Sequence, residues 1–106
     1  MAALSDVLSR CTGFEWDDGN AAKNWTLHRV APTESEQVFF NRPVLVTADE
    51  RHSGQEARYA ALGRTSTARH LAVVFTIRGT LIRVISAREM SRRERRVYEG
   101  AREAGE

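Results

Sequence analysis

The sequence predicts an α+β fold, with an antiparallel sheet of about four main strands, two helices before it and one after. Three observations carry this. Between residues 44 and 87 the apolar residues recur with the two-residue period of strands. Around residues 20–40, and again beyond residue 90, they recur at helical spacing. A chain of 106 residues, 42% hydrophobic, fills one core but not two, so residues 1–106 form a single domain.

Residues 1–13 form an N-terminal extension in which Leu4, Val7, Leu8 and Cys11 make a short helical stripe that ends at Gly13. Phe14-Glu15-Trp16 reads as a short strand closed by the turn and cap residues Asp17-Asp18-Gly19-Asn20. A helix over roughly 20–29 places Ala21, Trp25 and His28 on one face, with Trp25 as core anchor. Pro32 suits the first turn of a second helix, Thr33 and Glu36 have the spacing of a capping box, Val38, Phe39 and Phe40 supply the buried side, and Pro43 stops it.

Val44–Ala48 and Glu56–Gly63 are strands joined by a polar segment. Leu71–Ile77 and Thr80–Ala87 are rich in β-branched residues and predict a tight hairpin turning at Arg78-Gly79. If Ile77 faces Thr80, then Leu71, Val73, Phe75, Ile77, Ile82 and Val84 share an apolar face, and Thr76, Leu81, Arg83 and Ile85 share the other. An unpaired Arg83 could not be buried there without a large desolvation cost, so it must be paired, exposed in a groove, or both. The last helix starts at Ser91, whose spacing to Glu94 forms a capping box; Ser86 and Glu89 have the same spacing, but Ser91 lets the strand run through Ala87. Met90, Val97, Ala101 and Ala104 then make its apolar stripe, and Glu94 and Tyr98 share the side expected to meet the sheet.

Charge is unevenly distributed. The net charge is +2, but residues 1–50 hold four basic side chains against eight acids, and residues 51–106 hold twelve arginines against six glutamates. Fifteen of the sixteen basic residues are arginine, whose planar fork fits phosphate or carboxylate with two hydrogen bonds at once. With Cys11 as the sole cysteine, neither an internal disulfide nor a cysteine zinc site can form, which fits a cytoplasmic setting. No apolar stretch has the length of a membrane span. Glycine-rich phosphate loops, nucleophile elbows and paired-histidine metal motifs are missing, so no cofactor or metal is expected.

What remains is a concentration of arginines from Arg83 to Arg96 around Glu94 and Tyr98. Such a set suits RNA cleavage by the ribose 2′-hydroxyl, which needs a base, an acid and cations around the phosphorus but no protein nucleophile. Each residue also has a plainer role. Glu94 serves equally as a helix cap and ion-pair partner, Tyr98 as a half-buried core edge and His28 as a hydrogen-bonded scaffold residue. His52 and His70 read as solvated, and the arginine run as a solvated helix face. The residues themselves support phosphate binding; a non-enzymatic module that clamps a nucleic-acid backbone or an acidic partner is the alternative.

Phe14-Glu15-Trp16-Asp17, Lys23-Asn24, His28-x-Val30, Glu50-Arg51, Arg58-Tyr59 with Gly63-Arg64, and above all Ile82-Arg83-Val84-Ile85-Ser86-Ala87-Arg88 followed by Arg93-Glu94-Arg95-Arg96-x-Tyr98 resemble the BrnT toxin family over residues 14–99. The resemblance implies a compact RelE-like fold and an endoribonuclease toxin of a type II toxin–antitoxin pair. Its partner would be a BrnA-like antitoxin, and operator DNA would be reached only through that antitoxin. It implies Arg83, Glu94, Tyr98, Arg58 and His28 as catalytic residues, and Arg51, Arg64, Arg88 and Ser86 as RNA contacts. The chain departs from the family pattern at Arg29, where Gly is usual, and at Ala31-Pro32, where Ser-Phe is usual.

Overall fold

The described residues, 8–49 and 56–105 of a computed structural model, run in the order β1 (Gly13–Phe14), α1 (Asp18–His28), α2 (Pro32–Phe40), β2 (Leu45–Ala48), β3 (Arg58–Arg64), β4 (His70–Arg78), β5 (Leu81–Glu89) and α3 (Arg92–Glu103). They form one sheet ordered β1-β5-β4-β3-β2. The four long strands are antiparallel neighbours, as the alternation predicts, but the sheet is mixed: Gly13 and Phe14 pair in parallel with Leu81 and Ile82. The expected helical stripe from Leu4 lies mostly outside the described residues; Leu8 and Cys11 pack against the core.

The β4–β5 hairpin turns one residue later than the sequence suggests. Arg78 pairs with Leu81, and Gly79 takes the left-handed step at φ 64°. The pairing therefore slides by two residues, which leaves the face assignments of residues 71–84 intact. A bulge then intervenes: Phe75 pairs with Val84 but Val74 pairs with Ser86, so Ile85 has no opposite number. The extra residue flips the rest of β5 and turns Ala87 into the fully buried core, a switch that strict alternation could not foresee.

On the apolar face, Ala61, Leu71, Val73, Phe75, Ile82, Val84 and Ala87 pack with Val30 and Val38. α2 lies close enough that a Cβ on Gly63 would stand 2.6 Å from Val38 Cγ1, so glycine there is a packing requirement. Phe39 meets Phe75 edge-on at 5.0 Å, whereas Phe40, expected inside, is 73% exposed because it lies one step further round the helix.

α1 differs most from its prediction. Trp25 is 48% exposed and anchors nothing in the core; Arg29 sits over its ring at 5.4 Å. The buried residues of α1 are instead Asn20 and Asn24. β1 covers only the start of β5, and beyond Ile82 that edge needs other partners. Asn20 Nδ2 donates to the Val84 carbonyl at 3.0 Å, and the Ala87 amide donates to Asn24 Oδ1 at 3.0 Å. Two asparagines one helical turn apart thus close the sheet edge, and that is why α1 turns a polar side inward.

α1 ends at Arg29 in the left-handed conformation, φ 54°, which accounts for glycine being usual at this position. Pro32 opens α2 as expected, but the cap is Glu34 rather than Thr33 with Glu36: its carboxylate accepts from the Ala31 amide at 2.9 Å. Glu36 instead accepts from Trp16 Nε1 at 2.7 Å. The α1–α2 junction is held by Arg69, which donates to the His28 and Arg29 carbonyls and pairs with Glu34 and Glu89.

α3 starts at Ser91 with the expected reciprocal cap to Glu94. Its inward residue is Tyr98, whereas Val97 is 57% exposed, contrary to the expected stripe. The Tyr98 ring meets His70 edge-on at 5.6 Å, and its hydroxyl donates to the Pro43 carbonyl at 2.7 Å. His70 lies on the sheet face away from α2, so α3 covers one end of that second face. No helix among the described residues is long and apolar enough to cross a membrane.

Candidate functional site

At the other end of the same face, cross-strand pairing sets Arg58, Thr76 and Arg83 side by side on β3, β4 and β5. This row floors a groove of about 450 Å³ whose rim includes Asp17, Lys23, Glu56 and Arg78. Arg83 projects from the less apolar face, as the hairpin pattern requires, and its side chain is 20% exposed. Its guanidinium bridges Glu15 Oε2 at 3.1 Å and Asp17 Oδ2 at 2.7 Å. Arg78 reaches Glu15 at 3.3 Å and Glu56 at 2.9 Å. Thr76 is buried and donates its hydroxyl to the Ala57 carbonyl at 2.7 Å, which ties the start of β3 to β4.

The acids follow from the chain's path. β1 pairs with β5 at Ile82, so the next residues, Glu15 and Asp17, arrive beside Arg83. Asp17 also caps α1, accepting from the Asn20 amide at 2.8 Å. That amide bond, reinforced by Arg83, holds the Asp17 carboxyl below its ordinary range. Arg78 does the same for Glu56. Among the described residues, four cations and three carboxylates thus interleave around the groove.

The remaining sequence-derived candidates are dispersed. Glu94 is gripped by Arg88 through two hydrogen bonds of 2.7 and 2.9 Å, and this pair together with its cap lowers its pKa to about 2. It is a poor proton acceptor and a good strut between α3 and β5. Tyr98 is wholly buried. Because it sits on His70, six residues along β4 from Thr76, it lies about 20 Å from the Arg83 row. The expectation that the Glu94–Tyr98 side meets Arg83 is therefore half met: face shared, ends opposite. His28 is exposed at the C-terminal end of α1, near Arg69, while Arg83 meets the N-terminal end. Ser86 lies opposite Val74 beyond the bulge, and Arg64 ends β3 next to His70. Arg51 and His52 lie outside the described residues. His70, read as solvated, is nearly buried, with Nε2 bonded to Glu99 at 2.6 Å.

Glu15, Asp17, Lys23, Thr76 and Arg78 were not among the site residues named from the sequence, although Glu15, Asp17 and Lys23 stand in the stretches that carry the family resemblance. The available signal was the acid-rich Glu15–Asp18 run opposite an arginine-rich half, but only the parallel β1–β5 pairing shows which arginine it meets.

A comparison with curated proteins finds no match. The profile of a family described as "Ribonuclease toxin, BrnT, of type II toxin-antitoxin system" matches residues 16–94. That span includes Asp17, Arg58 and Arg83, and the description implies an RNA substrate and an antitoxin partner. The chain belongs to the BrnT family of type II toxin–antitoxin ribonuclease toxins.

Proposed function

We propose that this chain is a metal-independent endoribonuclease that arrests growth by cutting RNA in the cytoplasm and is restrained by a BrnA-like antitoxin, through which alone it reaches operator DNA. The observation that carries this reading is the Arg58–Thr76–Arg83 row, with Arg83 set between Glu15 and Asp17 at the wall of a groove. Arg58 and Arg83 hold the scissile phosphate and stabilise the charge that builds on its oxygens in the five-coordinate state. Glu15 takes the proton of the ribose 2′-hydroxyl as that oxygen bonds to phosphorus, through Oε1, since Arg78 and Arg83 both hold Oε2 whereas Arg88 holds both oxygens of Glu94. Lys23 gives a proton to the departing 5′-oxygen. The products are a 2′,3′-cyclic phosphate and a 5′-hydroxyl. No metal enters the scheme, because Glu15, Asp17 and Glu56 already face guanidiniums.

Ser86 and Arg64, on the same face, contact flanking nucleotides. Arg88, Glu94 and Tyr98 act on the fold rather than on the reacting atoms, His28 stands apart from them at the far end of α1, and Arg51 keeps its family-derived assignment as an RNA contact. Antitoxin-free protein should cut single-stranded RNA in EDTA and leave cyclic phosphate ends, with R83A lowering the rate by about 100-fold or more. Strict metal dependence, or full cleavage by R83A, overturns the scheme. The pairing of Arg83 and Arg78 with acids also favours a second reading, a clamp that binds a nucleic-acid backbone without cutting. It is distinguished by salt-sensitive binding with neither cleavage nor growth arrest.

A further inference from the structure

At the opposite end of β3 from Arg58 lies a second concavity, of about 300 Å³, lined by Asn41, Arg42, Arg64, Thr65, Ser66 and Ala68. Its electrostatics differ from those of the groove. It holds two guanidiniums and no carboxylate, and among the described residues neither Arg42 nor Arg64 forms an ion pair. Arg64 is under-satisfied as well. Among the described residues its buried Nε has no hydrogen-bond partner, and its Nη2 donates to the Arg42 carbonyl at a long 3.3 Å. A buried guanidinium N–H without an acceptor is costly, and a bound anion would relieve that cost.

We propose that this concavity is a second phosphate site, in which Arg42 and Arg64 hold a backbone phosphate of the same RNA whose scissile bond lies in the groove. The proposal rests on the ribonuclease reading for its ligand. Arg58 and Arg64 are six residues apart on one strand, so their side chains leave the same sheet face about 20 Å apart. An RNA chain of a few nucleotides spans that distance, as in other proteins that follow a single strand by its phosphates. An acidic protein segment is the competing occupant. The shared sheet face favours RNA.

The test uses the full chain, wild type and R42E, because Arg42 is exposed and, among the described residues, its side chain forms no hydrogen bond or ion pair that the fold requires; R42Q serves as the neutral control, and circular dichroism checks folding. Two measurements are made. Cleavage is compared on a dinucleotide and a 12-mer RNA, and binding is measured on a non-cleavable 2′-deoxy 12-mer across a salt series. The expected result is about a tenfold lower kcat/KM for R42E on the 12-mer with the dinucleotide unchanged, and a binding salt slope lower by about 1, with R42Q between. Equal effects on both RNAs, or none on the deoxy 12-mer, overturn the second site. So does an equally R42E-sensitive affinity for a poly-glutamate 12-mer, which would assign the concavity to an acidic protein. If wild type cuts no RNA yet deoxy 12-mer binding depends on Arg42, the phosphate site stands and the ribonuclease reading falls.

Discussion

Asp17 holds the guanidinium of Arg83 at 2.7 Å with one carboxylate oxygen, while the other accepts from the Asn20 amide at 2.8 Å. One side chain thus starts α1 and orients an arginine of the groove. The two duties separate by substitution. Asn caps helices about as well as Asp, so D17N should keep thermal stability within a few tenths of a kcal/mol while loosening Arg83. D17A should in addition cost about 1 kcal/mol. Thermal melts alongside RNA cleavage check this: unchanged cleavage in D17N would mean that Arg83 needs no orientation from Asp17.

Asn24 is 2% exposed and carries the Ala87 amide on its side-chain oxygen. Replacing it with Leu leaves a buried N–H without an acceptor, at a cost of about 1–3 kcal/mol. Urea unfolding of N24L should show that loss, and hydrogen exchange should speed up at Ala87. A variant as stable as wild type would mean that the edge of β5 is satisfied in some other way.

Tyr98 offers a direct test of scaffold against chemistry. Y98F removes only the hydroxyl that donates to the Pro43 carbonyl. The expected outcome is a stability loss of about 1 kcal/mol with kcat for RNA cleavage near wild type. A collapse of kcat without a stability change would return Tyr98 to the active site.

Glu94 predicts a pH dependence with a definite sign. Its folded pKa, about 2, lies below the ordinary value of 4.5, so the stability it confers is complete above about pH 4.5 and fades as pH falls toward 2. Solvent screening of a partner that is 47% exposed limits this to roughly 1 kcal/mol. Wild type should exceed E94Q by that margin at pH 7, and the gap should close between pH 4.5 and 2 in denaturant titrations. A constant gap would show that the cap geometry, not the charge, carries the effect.

Sequence alone determined the element types, the hairpin, the sheet's apolar face and the α3 cap. Each of these depends on local spacing: period-two alternation, a glycine at a turn, and a serine three residues before a glutamate. It also determined Arg83, because a charge in mid-strand must find partners. Tertiary structure decided what lies far apart in the chain. The Ile85 bulge reversed the phase that put Ala87 inside, and the unpaired edge of β5 made Asn24 a core residue in place of Trp25. The parallel pairing of β1 brought Glu15 and Asp17 to Arg83, while α3 settled over His70, at the other end of the face. Satisfaction of the β5 edge is set by partners more than 60 residues away, and the bulge by packing across the sheet; no local pattern encodes either.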